Sequence, residues 1–181
     1  MSDLHVMIDC ETLSVAPNAA IRSIGLAKLQ NGCVGDPLEL LIDLRSLDTS
    51  KYDVSFDTVL WWLQQPDEAR QAFVAIGSEQ VSAAVAARMV SNYIPPDALV
   101  WSNGADADLV WVKHLIATEY NREPPWTFRN QRCFRTLRAY APKMIEDAMK
   151  GVSGGTKHSA LDDALWQIEY LGMCLEHWRS E

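Results

Sequence analysis

The sequence predicts an α/β protein with one mixed central sheet and helices on both faces. Two observations carry this reading. Residues 5–11, 21–29 and 38–44 are apolar, strand-like runs joined by links too short for a parallel crossover, so they form an antiparallel meander. Beyond them, helix-like segments alternate with short apolar strands at 98–101 and 132–134, which adds two parallel strands. At 181 residues, with no long linker, the chain 1–181 is expected to be a single domain.

Each element has a local reason. Ala16-Pro17-Asn18 breaks the first strand from the second. Ser55 or Asp57 can cap a helix through Gln64, and Pro66 followed by Asp67 and Glu68 marks a second helix start. Ser78 is the expected cap of a helix carrying Val81, Val85, Met89 and Val90 up to the Pro95-Pro96 stop. The strand at 98–101 ends at Asn103-Gly104, and a helix over about 106–120 follows. After Pro124-Pro125 comes the short strand at 132–134, then a helix containing Leu137. A glycine-rich stretch at 151–155 precedes the last helix, 159–178.

Composition narrows the function. With 48% apolar and 22% charged residues the chain reads as globular, and no apolar run reaches membrane-spanning length. No signal-peptide pattern opens the chain, so a cytoplasmic location is expected, with no membrane partner. Cys10, Cys33, Cys133 and Cys174 are scattered and read as buried free thiols. A net charge of -8 argues against a general nucleic-acid binder. Yet residues 129–157 hold Arg129, Arg132, Arg135, Arg138, Lys143, Lys150 and Lys157 against only Glu146 and Asp147. That stretch is either a solvated face or a local positive track.

Three segments carry chemistry. Asp9 and Glu11 stand at i and i+2 on the first strand, so both carboxylates leave the same face while Ile8 and Cys10 point the other way. Paired anions on one face call for a positive partner, and a hard cation such as Mg²⁺ takes carboxylate oxygens. Asn103 to Asp108 (N-G-A-D-A-D) lies where a strand passes into a helix, with Asp106 or Asp108 expected as the helix cap. His158 follows the glycine-rich stretch and precedes Asp163 by five residues at a helix start.

I-D-C-E-T-L (8–13), N-G-A-D-A-D-L (103–109) and H-S-A-L-D-D-A (158–164) occur in that order, and the set resembles the three motifs of the DEDDh 3'-5' exonuclease family. A-I-R-S-I-G (20–25), W-W-L-Q-Q-P-D-E-A-R (61–70) and R-C-F-R-T-L (132–137) resemble a small bacterial and phage subgroup of 3'-5' exoribonucleases within it. Ala107 departs from the pattern, which usually has an aromatic residue there. The resemblance implies a ribonuclease H-like fold. It implies hydrolysis of single-stranded nucleic acid, RNA favoured over DNA, from the 3' end to mononucleotides. Two divalent cations, Mg²⁺ or Mn²⁺, would sit on Asp9, Glu11, Asp108 and Asp163, with His158 as the base. Thr12 and Leu13 would receive the terminal nucleotide, with Asn103 as a further substrate contact, and a homodimer is compatible with the family. A binding module that kept the fold and lost turnover is the competing reading, against which the full set of catalytic residue types stands.

Two pairs of neighbours need separating. Trp61 and Trp62 lie about 100° apart on a helix, so they face different ways: either one enters the core and the other packs on a neighbouring helix, or one of them, with Trp61 as the candidate, is a stacking platform for a terminal base. If Ser159 caps the last helix, Asp162 completes a capping box on a solvent stripe with Glu169 and Glu176. Asp163 then borders the apolar face of Ala160, Ala164, Ile168 and Leu171, whose small alanines let the helix approach the sheet.

Overall fold

The protein is described from a computed structural model, covering residues 4–74, 79–150, 152, 155 and 158–181. The strands are β1 (Leu4–Thr12), β2 (Ile21–Gln30), β3 (Cys33–Ile42), β4 (Gln80–Val81), β5 (Leu99–Ser102) and β6 (Gln131–Cys133). The helices are α1 (Phe56–Leu63), α2 (Asp67–Val74), α3 (Ala83–Tyr93), α4 (Asp108–Leu115), α5 (Phe134–Ala139), α6 (Lys143–Met149) and α7 (Ala160–Ser180).

β1 and β2 are buried along nearly their whole length, which their apolar sequences permit, and β1 lies inside the sheet. The strand order is β4-β3-β2-β1-β5-β6. β1 and β2, and β2 and β3, pair antiparallel, whereas β5 runs parallel to β1 and β6 parallel to β5. This is the expected meander plus two parallel strands, with one addition: β4 pairs parallel with the edge of β3 through Leu41 and Ile42.

β3 also begins earlier than the apolar run suggested. Asn31 (φ 52) and Gly32 (φ 78) both adopt left-handed backbone, so Gln30 and Cys33 close a two-residue hairpin. The ladder then slips between Leu26 and Lys28, opposite Asp36-Pro37, a bulge that accommodates a residue without an N–H. The half of β3 before Leu38 is largely exposed, which is why it lacks an apolar signal.

One face of the sheet packs Val6, Ile8, Cys10, Ile24 and Leu26 against α3 and α4. The other packs Met7, Ala27, Leu29 and Trp101 against α5, α6 and α7. Among the described residues no helix is long and apolar enough to cross a membrane.

Other departures are local. The side chain of Ser82 caps α3, whereas Ser78, the expected cap, lies outside the described residues, as does Lys157. Neither Asp106 nor Asp108 caps α4: Ala107 occupies that position and offers no side-chain bond. α4 continues as a π-helical turn (Ile116–Tyr120). Helix α6 had no sequence counterpart. Cys10 and Cys174 are buried free thiols as expected, but Cys33 is exposed beside the hairpin and Cys133 is half-buried.

The contact that sets the site is backbone against backbone. A Cβ placed on Gly25 would stand 2.0 Å from the carbonyl oxygen of Ala160, so only glycine allows the start of α7 to cross β2 this closely. Gly25 faces Asp9 across the β1–β2 ladder, and Asp163 follows Ala160 within the first turn of α7. The G25A variant should push α7 off the sheet, cost about 3 kcal/mol of stability and lower the melting temperature. An unchanged melting temperature would show that α7 does not rest there.

Candidate active site

The pleat of β1 sends Asp9 and Glu11 to the α7 side of the sheet, while Ile8 and Cys10 enter the core on the other side. Asp108 starts α4, just beyond β5, the parallel neighbour of β1. One of its carboxylate oxygens accepts the N–H of Cys10 at 3.1 Å, tying it to the residue between Asp9 and Glu11. Asp108 is only 6% exposed whereas Asp106 is exposed, so Asp108 is the one turned inward. Glu11, His158 and Asp163 each bring a ligand atom within 4.8 Å of the others. Asp9 accepts a hydrogen bond from Gln167 Nε2 at 2.8 Å, and Gln167 Oε1 is buried without a hydrogen-bond partner among the described residues.

Burial of like charges dominates the electrostatics. Burial, then the charges of Asp108 and Asp163, raise the Asp9 carboxyl far above its usual range, with the Gln167 bond acting the other way. Glu11 is pushed up to about 8 by burial and by Asp163 and Asp108. Asp108 is pushed up to about 7 by burial, moderated by the Cys10 N–H and by the charge of Arg135. Close, half-desolvated carboxylate oxygens are the donor set that a hard divalent cation takes, so the residues fit such an ion.

His158 is held from two sides. Its backbone is left-handed (φ 63), a conformation that costs a non-glycine residue roughly 1 kcal/mol. Its ring meets Trp61 edge-on at 5.0 Å and Trp62 at 6.0 Å. Trp62 is buried, stacks on Phe73 at 4.0 Å and donates its indole N–H to the Thr12 carbonyl at 2.9 Å. One tryptophan thus touches both the strand bearing Glu11 and the residue facing it.

The remaining candidates separate. Trp61 is 42% exposed beside His158, so of the two tryptophans Trp62 belongs to the core and Trp61 to the rim. The buried Thr12 hydroxyl donates to Ser14 O at 2.7 Å, and the Leu13 N–H is bonded to Ala20 O, so both shape the loop after β1. Asn103 is exposed, and its carbonyl accepts from Arg135 Nη2 at 2.9 Å. Ser159 accepts the Asp162 N–H at 3.4 Å. Asp162 is half-buried rather than on a free solvent stripe, because its carboxylate lies over Gly155.

Sequence reading missed Gln167, Trp62 as a support for His158, and Arg135 beside Asp108. Gln167 alone had a signal: it stands four residues after Asp163, on the same helix face.

A carboxyl whose pKa rises on folding binds its proton more tightly in the folded chain, so stability falls as pH climbs from the unfolded to the folded value. Without divalent cations the melting temperature should therefore drop between pH 4.5 and about 8, the ordinary and folded values of Glu11. Saturating Mg²⁺ or Mn²⁺ should flatten the drop, by binding the ionised form. Thermal scans in chelator across this range that showed no drop would contradict the electrostatics above.

Among proteins with curated descriptions none matches the chain. Solved structures of exonuclease I do share its fold. A zinc-bound form of E. coli exonuclease I with single-stranded DNA superposes with a TM-score of 0.68 at 16% identity, over 100% of this chain and 42% of that one. E. coli exonuclease I with a dT13 oligonucleotide gives 0.68 at 16% identity, over 99% and 43%. The chain therefore spans less than half of those enzymes, and what it shares with them is the ribonuclease H-like fold. The model of one sequence family covers residues 4–175, and the chain belongs to that family, the Rv2179c-like 3'-5' exoribonuclease domain.

Proposed function

We propose that this chain is a metal-dependent 3'-5' exonuclease that shortens single-stranded nucleic acid, RNA in preference to DNA, to mononucleotides. The observation that carries the reading is the convergence of Asp9, Glu11, Asp108 and Asp163, from β1, α4 and α7, around one partly buried site faced by His158. The family supports the reaction and the choice of RNA.

A phosphodiester is anionic and repels its nucleophile. Two Mg²⁺ or Mn²⁺ ions held by the four carboxylates would supply the charge that stabilises the attacking and leaving oxygens. The protein's own task is placement. Asp108 and Asp9 are oriented by the Cys10 N–H and by Gln167, so their oxygens need little reorganisation. His158 stands beside Glu11 and Asp163, where its imidazole can accept the proton of the attacking water. The edges of Trp61 and Trp62 restrict the ring, and the exposed part of Trp61 offers a surface for the terminal base.

A specific observation favours a second substrate: the E. coli exonuclease I structures sharing this fold hold single-stranded DNA. RNA and DNA strands of one sequence, labelled at the 5' end, should decide. The expected result is a ladder of shortening products, faster with RNA, lost in EDTA and blocked by a modified 3' end. Rapid cutting of circular strands would instead mark an endonuclease.

His158→Ala should lower turnover by about 10² to 10⁴, the usual worth of a positioned base, with the fold and cation affinity retained. Loss of cation binding in titration calorimetry would reassign His158 as a ligand.

A further inference from the structure

An acidic chain with an acidic centre must still admit a polyanion. With a net charge of -8, long-range attraction cannot bring a strand of phosphates to the site, so specific unneutralised cations have to line its approach. The structure shows which members of the basic stretch remain available. Arg138 is consumed: it forms a two-point ion pair with Glu146 (2.7 and 3.1 Å) and lies over the Trp166 ring at 5.2 Å. Lys150 is paired with Asp147 at 2.7 Å. Arg132 donates to the carbonyls of Arg129 and Gln131. Arg129, Arg132, Arg135 and Lys143 have no carboxylate within ion-pair distance among the described residues, and the last two of these share a groove.

These two line one groove of about 450 Å³ between α5 and α6, together with Arg138, Ala139, Ala141 and Glu146. The Arg138–Glu146 pair cancels itself, which leaves the groove a net positive strip. Arg135 is the groove residue that links it to the carboxylate site. Arg135 Nη2 is fixed to the Asn103 carbonyl at 2.9 Å, and its charge reaches Asp108. Gly104, next to Asn103, has φ 131, a backbone conformation that favours glycine. In sequence between the groove residues Ala139 and Ala141, at the rim and not in the lining, comes Tyr140, 82% exposed and with no ring or cation contact among the described residues. Unpaired cations interleaved with an open aromatic ring are what a single strand recognises, through its phosphates and a base face.

We infer that this groove binds the part of the single strand lying upstream of the scissile 3' nucleotide. Arg135 and Lys143 take backbone phosphates and Tyr140 stacks one base. The inference rests on the exonuclease reading and adds to it where the strand enters.

Fluorescence anisotropy of the full chain tests it, with a 5'-fluorescein RNA of about 12 nucleotides and Ca²⁺ replacing Mg²⁺ to suppress turnover. Each lost phosphate contact should flatten the slope of log Kd against log salt by about 0.7, so Arg135→Gln and Lys143→Gln should each show that change. Tyr140→Ala should weaken binding roughly 10-fold without altering the slope, and Tyr140→Phe should restore it. Arg122→Gln, whose side chain lies instead near Tyr120, should match the parent. Parental slopes in both cation variants, or a parental Kd for Tyr140→Ala, would overturn the groove, as would competition by an acidic peptide but not by unlabelled RNA. The parent's turnover in Mg²⁺ is scored separately: hydrolysis with unchanged slopes sinks only the groove. Tight, salt-sensitive binding without hydrolysis sinks only the exonuclease reading.

Discussion

Carboxylates packed together away from water repel one another, and the ionised form of each is further penalised by desolvation. Asp9 and Glu11 show both effects, Glu11 with its pKa raised to about 8, and Asp108, raised to about 7, shows the desolvation. A fold tolerates such a cluster only if other contacts hold it together. Here they are the central position of β1, the Cys10 N–H that fixes Asp108, and the approach of α7 to β2 over Gly25. The stability of the core is thereby spent on a site that is strained until a cation arrives.

The same economy links the base to the ligands. Trp62 is anchored to the Thr12 carbonyl, next to Glu11, and stacked by Phe73. The buried Arg22 in turn donates to the carbonyls of Phe73 and Ile42, fastening α2 to the sheet. From β2 through α2 and α1 to His158 there is an unbroken set of packed groups. A histidine after a glycine-rich stretch would otherwise have many orientations, and the tryptophan edges reduce them.

How much of this could be read from the sequence depends on how local each signal is. β1, β2 and α7 were legible because their apolar periodicity is strong, and Asp9, Glu11, Asp108, His158 and Asp163 because they sit in short motifs. The Asn31-Gly32 pair has the usual signal of a two-residue hairpin, but the apolar run begins only at Leu38, because the first half of β3 is largely exposed and Asp36-Pro37 occupies a bulge. β4 is two residues long and has no pattern to find. The partners that tune the site were hidden for another reason. Gln167 and Asp9 are 158 positions apart, Trp62 and Thr12 are 50 apart, and Gly25 meets Ala160 through backbone. Nor can a run of basic residues announce that Arg138 is spent on Glu146 while Arg135 is not.

The central claim is that buried, mutually repelling carboxylates create the demand for a cation. Titration calorimetry with Mg²⁺ or Mn²⁺ at neutral pH, repeated in buffers of different ionisation enthalpy, measures the protons released per chain. Because Glu11 and Asp108 hold part of their protons there, cation binding should expel them, and the observed heat should change with the buffer. Binding whose heat is the same in every buffer would mean that the carboxylates are already ionised, and would contradict the account.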